Sequence, residues 1–251
     1  PGSVRIREHS DAVIVCVLGS YRFVTYIQEK DKTVKKNVVV LVSAVVLVGA
    51  FVIAMFVLEN RKTGNVESTA KMNTSSLVRD HSPKAGNGDA RVTIVEFFDP
   101  ACGTCRAFHP IVKGILRDNP GKVNLVVRYL PLHSGSEDVV KILEAARLQG
   151  KFWEALEAAY ATQGKWAINH QAYPELFWKS ISSVGLDPEQ VSRDMQSPTV
   201  SQNVRQDTED AKTLGVSKTP GFFVNGKPLI EFGQMQLLQM VNEALEREYE
   251  G

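Results

Sequence analysis

Cys102 and Cys105 are two of the chain's three cysteines and stand two residues apart in FFDPACGTCRAFHP, Phe97 to Pro110. Thiols this close can clasp a metal, staple a loop or pass electrons. Structural zinc takes four ligands, supplied by two such pairs or by one pair with histidines at fixed spacing. The sequence has no second CxxC and no histidine pair at ligand spacing, and His109 alone completes no site. A disulfide across two intervening residues closes a tiny loop, and loop-closure stabilisation grows with loop length. A redox pair fits best, because CxxC where a strand gives way to a helix is a specific signal for it.

The flanking elements place the pair there. VTIVEFF, Val92 to Phe98, is a short β-rich apolar run with the pattern of a buried central strand. Phe108, Ile111, Val112, Ile115 and Leu116 then recur at helical spacing, and Asn119-Pro120-Gly121 stops that helix. KVNLVVRYL, Lys122 to Leu130, is a second strand. Strand, helix and strand at this length predict a βαβ unit with a parallel pair. Cys102 then sits at a helix N-terminus, where unpaired N–H groups and the positive dipole end favour thiolate. Cys105, one turn deeper, is shielded and placed to attack a mixed disulfide. Glu96 shares a strand face with Ile94 and Phe98, which predicts burial and a carboxyl able to trade a proton with a thiol.

Beyond Leu130 the period changes. Residues from about Ser136 to Gly215 read as helical, with one apolar stripe on Phe152, Trp153, Leu156, Ala159 and Tyr160. Further helices are expected around Tyr173–Val184, Pro188–Met195 and Val200–Leu214. GFFVNGKPLIEF returns to strand, with Asn225-Gly226 as a hairpin turn, and an amphipathic helix on Leu237, Leu238, Val241, Ala244 and Leu245 closes the chain.

Composition adds bounds. The net charge of +1 gives no reason to expect nucleic acid as a partner, and three cysteines are too few for a disulfide scaffold. One segment stands apart. Val38 to Leu58 carries no charge and no proline, and at ~1.5 Å per residue such a run can cross a ~30 Å hydrocarbon core. It ends in LENRK with no small-residue cleavage site, so it reads as a retained transmembrane signal anchor. Lys30, Lys32, Lys35 and Lys36 before it outnumber Arg61, Lys62 and Lys71 after it, a slight bias toward an inside N-terminus. Val34-Lys35-Lys36-Asn37 would open such an anchor if Val34 were a start codon read as methionine, so residues 1–33 are expected to be an upstream extension. Cys16 lies in a short apolar run, Ala12 to Leu18, as a passive residue. Residues 59–76 are polar and without period, a flexible tether, and the globular domain is expected over 77–251.

With these residues in hand, the chain resembles the thioredoxin superfamily and, within it, the DsbA-like thiol–disulfide oxidoreductases. Glu96 precedes Cys102 by six positions, where the superfamily places a buried acid. Pro110 follows Cys102 by eight, where thioredoxins kink their active-site helix. Thr219-Pro220 before the hairpin resembles the loop whose cis-proline faces the CxxC. A helical insertion between the βαβ and ββα halves is the DsbA-like hallmark. The resemblance implies an α/β thioredoxin fold with that insertion and no bound cofactor. It implies Cys102 as nucleophile, Cys105 as resolving thiol, Glu96 as proton-transfer group and Thr219-Pro220 as the holder of the substrate backbone. It also implies thiol- or disulfide-bearing protein substrates and a membrane redox partner, either a quinone-linked oxidase or a reductant relay. The catalytic domain would then face the periplasm or cell exterior from the inner membrane. Gly103-Thr104 departs from the family oxidants, which often carry Pro-His there, so a milder couple is expected. Oxidase, reductase or isomerase (for example in cytochrome maturation), and a tethered non-catalytic binding or chaperone module all remain as readings.

Overall fold

The computed structural model describes residues 47–49, 51 and 74–250. The chain divides into two units, Pro1–Asn65 and Val66–Gly251. In the first, residues 47–49 and 51 are helical. No helix among the described residues is long and apolar enough to cross a membrane. The rest of the expected span 38–58, the extension 1–33 with Cys16, and the tether up to residue 73 lie outside the described residues.

The second unit opens with a helical turn, Thr74–Leu77, and a two-residue strand β1, Lys84–Ala85. Strand β2, Val92–Phe98, leads into α1, Gly103–Asp118, and then β3, Val123–Tyr129. The insertion comprises α2 (Ser136–Leu148), α3 (Phe152–Ala161), β4 (Ala167–Ile168), β5 (Gln171–Ala172), α4 (Pro174–Ser180), α5 (Pro188–Met195) and α6 (Pro198–Thr213). Strands β6 (Gly221–Val224) and β7 (Lys227–Pro228) and helix α7 (Gln234–Tyr249) complete the chain.

One five-stranded sheet runs β1-β3-β2-β6-β7. β2 and β3 are parallel, as the βαβ reading requires, with Glu96 opposite Val127. β6 pairs antiparallel to β2 and sets Phe222 opposite Glu96. β2 is central and buried on both faces, so it carries apolar residues almost without a break. Its Ile94 and Phe98 face the main core, where Phe108, Val112 and Ile115 of α1, Leu143 of α2 and Leu237 of α7 are packed. Val95 and Phe97 face the other way, onto Leu77, Ala211 and Phe223. Asn225 and Gly226 both take positive φ, at 46° and 81°, the paired left-handed geometry that an Asn-Gly hairpin needs. Pro228 is tolerated because β7 is an edge strand.

The insertion differs from the sequence reading at one place. Residues expected to be helical fold instead into the β4–β5 hairpin, with Asn169 and His170 at positive φ. A two-residue turn of this kind has no hydrophobic period to announce it. The hairpin is held against the β3–α2 loop by Ala172 N–H donating to the Ser134 carbonyl at 2.8 Å. Gly135 permits that approach: its φ is 75°, and a Cβ there would collide with the Ala172 carbonyl.

Buried charge ties the second sheet face together. Arg128, fully buried in β3, donates to Asp207 and Asp210 of α6 and to the Ser76 carbonyl. Arg79 adds a two-point bond to Asp210, and His81 pairs with Asp207 at 2.6 Å. Burial works to raise the Asp210 pKa, yet the bonds from Arg79 and Arg128 override it and hold the carboxyl below its usual value. A depressed carboxyl stabilises the fold above its unfolded value and loses that contribution as pH falls through the folded one. Arg128→Met takes the buried guanidinium from both carboxylates, so it should cost about 3–5 kcal/mol by urea denaturation at pH 7. The gap should narrow below about pH 4. A cost under about 1 kcal/mol would show that the network is not holding α6 to the sheet.

Candidate active site

Cys102 is the residue that caps the start of α1, with extended backbone angles and no side-chain cap of its own. The loop before it is built on Asp99, fully buried, whose carboxylate accepts from the N–H groups of Ala101, Leu132 and His133 at 2.7–2.9 Å. The same carboxylate takes the Ser136 hydroxyl and the His133 ring nitrogen Nδ1. Gln163, in the short 3-10 turn that follows α3, donates to the carbonyls of Pro100 at 2.8 Å and Cys102 at 3.1 Å. Two side chains from distant segments therefore hold the Pro100–Cys102 backbone in place. Sequence reading did not single out Asp99 or Gln163. The signal for Asp99 was an acid directly after a mostly apolar strand.

The two thiols are reduced and sit in unequal surroundings. Cys105 is fully buried in the core and Cys102 lies at its edge. Cys102 is pulled down to about 5. A hydrogen bond from the Cys105 thiol does most of this; burial opposes it, and the Thr219 side chain with the backbone N–H groups of Thr104 and Cys105 adds to it. Cys105 moves the other way, well above the ordinary thiol value, because burial is uncompensated and its proton is committed to Cys102. Near neutral pH the arrangement is therefore one thiolate beside one thiol. That is the pairing thiol–disulfide exchange requires, with one sulfur ready to attack and the other poised to follow.

Glu96 lies where its strand face predicts, buried beneath the pair. Burial lifts its pKa to about 8, with the charge of Cys102 adding to the shift. It is thus largely protonated at neutral pH and close enough to both sulfurs to feel them. The Thr219–Pro220 peptide is cis, and the Thr219 carbonyl lies 3.4 Å from the Cys102 sulfur. All five residues singled out by sequence, Glu96, Cys102, Cys105, Thr219 and Pro220, meet at one end of the sheet. Pro110 sits within α1 behind them. Among the described residues no group of three or more potential ligands could hold a metal ion.

Two depressions flank this point. On one side an apolar groove of about 600 Å³ is lined by Thr104, Pro220, Phe222, Leu229, Ile230 and Phe232. Ile230 and Phe232 are well exposed along it, at 75% and 51%. On the other side a polar cleft of about 660 Å³ is lined by Cys102, Thr104, His133, Gln163, Asn169 and His170.

The family model described as thioredoxin matches residues 79–243. The chain belongs to the thioredoxin family. Its fold and helical insertion are those of DsbA-like structures. A thioredoxin-like oxidoreductase from Silicibacter pomeroyi is 34% identical, with a TM-score of 0.61 over 69% of this chain and 98% of that one. BdbD from Bacillus subtilis, in its oxidised form, is 23% identical and shares the fold, with a TM-score of 0.59 over 66% of this chain and 94% of that one. The Na(+)/H(+) antiporter NhaA of Herminiimonas arsenicoxydans is 31% identical over 144 residues, which are 57% of this chain. The chain spans only 22% of that antiporter's length, so the likeness concerns one segment of it.

The asymmetry of the two thiols is directly measurable. Ultraviolet thiolate absorbance of the reduced protein should rise with a midpoint near pH 5. Cys105→Ala removes the largest stabilising bond, so the midpoint should move up toward the ordinary thiol value of ~8.5. An unchanged midpoint would mean that the helix end and Thr219 suffice without Cys105.

Proposed function

We propose that the protein is a membrane-anchored thiol–disulfide oxidoreductase that exchanges disulfides with exported proteins through Cys102 and Cys105, working as a mild oxidant. The observation that carries this reading is the placing of the pair, Cys102 at the start of α1 with the Thr219 carbonyl 3.4 Å from its sulfur and Cys105 fully buried behind it, which pulls Cys102 down to about 5 and pushes Cys105 up. A stabilised thiolate favours the reduced form of the pair and so makes the disulfide form an oxidant.

In the oxidising direction a substrate thiolate attacks the Cys102 sulfur of the enzyme disulfide. The Cys102–Cys105 bond breaks, its electron pair goes to Cys105, and Glu96 supplies the proton that Cys105 takes up. A second substrate thiol, losing its proton to solvent, then attacks the substrate sulfur of the mixed disulfide, and Cys102 leaves as the stable thiolate. The substrate has lost two electrons and the enzyme dithiol has gained them. A membrane redox partner, by family analogy a quinone-linked oxidase, removes them again. Thr219 and Pro220 hold the substrate backbone beside the sulfurs, and the apolar groove along Phe222, Ile230 and Phe232 receives its side chains.

The anchor and the side of the membrane are supported by the uncharged run Val38–Leu58 and by the chemistry. A cytosolic pair would be kept reduced and could not oxidise. Cys105→Ala, expressed as the full chain in cells, should accumulate mixed disulfides with exported proteins, whereas Cys102→Ser should trap none. Equal trapping by both variants would reverse the roles of the cysteines. Trapped partners that are all cytosolic would place the domain on the wrong side and contradict the oxidase reading.

A further inference from the structure

Thiol–disulfide exchange moves protons at two sulfurs. Glu96 accounts for one of them, because it lies beneath Cys105 on the buried side. The other belongs to the substrate. A cysteine thiol of ordinary pKa, ~8.5, is mostly protonated at neutral pH and must lose that proton as it attacks. Glu96 is buried and lines neither depression beside Cys102.

That side is the polar cleft. Among the described residues it is lined by Cys102, uncharged groups and two histidines, His133 and His170, with no Lys, Arg, Asp or Glu. His133 is built into place. Its Nδ1 lies 2.7 Å from Asp99 Oδ2, with the carboxylate fully buried and the imidazole 22% exposed. The same oxygen accepts the backbone N–H groups of Leu132 and His133, so it is an acceptor and the ring nitrogen facing it is the donor. Nδ1 therefore carries a proton, and in the neutral ring Nε2 is the nitrogen with the lone pair. Among the described residues Nε2 has no hydrogen-bond partner. His170, from the β4–β5 turn, stacks on the ring with centroids 6.0 Å apart and planes within 7°. The imidazole is thus held by a carboxylate on one nitrogen and lies parallel to a second ring, and it lines the Cys102 cleft. This is the carboxylate–imidazole arrangement that readies a general base.

We propose that His133 is the general base for the substrate sulfur. Its Nε2 takes the proton of the incoming thiol as that sulfur bonds to Cys102 and the Cys102–Cys105 bond breaks, with the electron pair leaving on Cys105. In the reverse direction the imidazolium returns the proton to the departing substrate sulfur. Asp99 and His170 are positioning residues, acting only through the ring. The division is spatial: Glu96 serves the buried sulfur and His133 the substrate's. It places an imidazole beside Cys102 from the β3–α2 loop, where the Gly103-Thr104 dipeptide supplies none. The assignment rests on thiol–disulfide exchange at Cys102, and holds for either direction of electron flow.

The test uses the full chain in its disulfide form and two thiols: a cysteine peptide, and an aryl thiol already ionised at pH 7. His133→Asn keeps an amide donor toward Asp99 and removes the base. The variant should react with the cysteine peptide about tenfold or more slowly, within the ordinary range for losing a general base. Its rate with the aryl thiolate, which has no proton to lose, should stay within about twofold. Equal losses with both thiols, or no loss with either, would overturn the proposal. A second arm needs no variant. With the unaltered protein the cysteine-peptide rate should reach a plateau below the thiol's own pKa, ~8.5. A rate that instead climbs tenfold per pH unit up to the thiol's own pKa would show that only free thiolate reacts, and would overturn it. If neither thiol reacts at all, the thiol–disulfide reading itself fails and takes this one with it.

Discussion

A thiolate bonded to a neighbouring thiol is the interaction around which this domain is arranged. Cys102 and Cys105 have the same chemistry and differ only in place, one at the rim of the core and one inside it. That difference sends their proton affinities in opposite directions. Burial by itself would raise both. The rim position lets Cys102 collect the Cys105 thiol, the Thr219 side chain and two backbone N–H groups as donors. The inner position leaves Cys105 with burial and with its proton held by the Cys102 sulfur.

The surrounding fold keeps that difference from relaxing. β2 ends where the pair begins, and its register against β3 and β6 sets both Glu96 and the Thr219–Pro220 loop around the sulfurs. Asp99 then joins the loop before Cys102 to the loop after β3 through five accepted hydrogen bonds. Such a carboxylate is tolerated in the interior because its acceptor positions are filled. On the opposite sheet face the Arg128, Asp207 and Asp210 network performs the corresponding task, fixing α6 against β3. Buried polar groups thus sit at the joints between elements, and apolar contacts fill the space between them.

Much of this could be read from residue order. β2, α1 and β3 were legible because a buried strand, an amphipathic helix and a CxxC each leave a local pattern. The five site residues were legible because their spacing matches a family. The joints were not. Asp99 and Gln163 reveal their roles only when loops far apart in sequence are brought together. Arg128 sits in a strand whose alternation gives no reason to pair it with α6. The β4–β5 hairpin, which carries His170 to His133, turns on two residues with positive φ that no apolar period marks. His133 itself is held by Asp99 and lines the Cys102 cleft.

The thiolate energy and the redox potential are linked, because whatever stabilises the Cys102 thiolate stabilises the reduced pair. A Cys102 pKa of about 5 falls between the values of ~7 for thioredoxin and ~3.5 for the strong oxidant DsbA. The most direct measurement is therefore the equilibrium of the Cys102–Cys105 pair with reduced and oxidised glutathione at pH 7, using the full chain. The account predicts a potential between about −270 and −120 mV, on the oxidising side of thioredoxin and short of DsbA. A potential at or below about −270 mV would contradict it, because the thiolate would then contribute nothing to the stability of the reduced form.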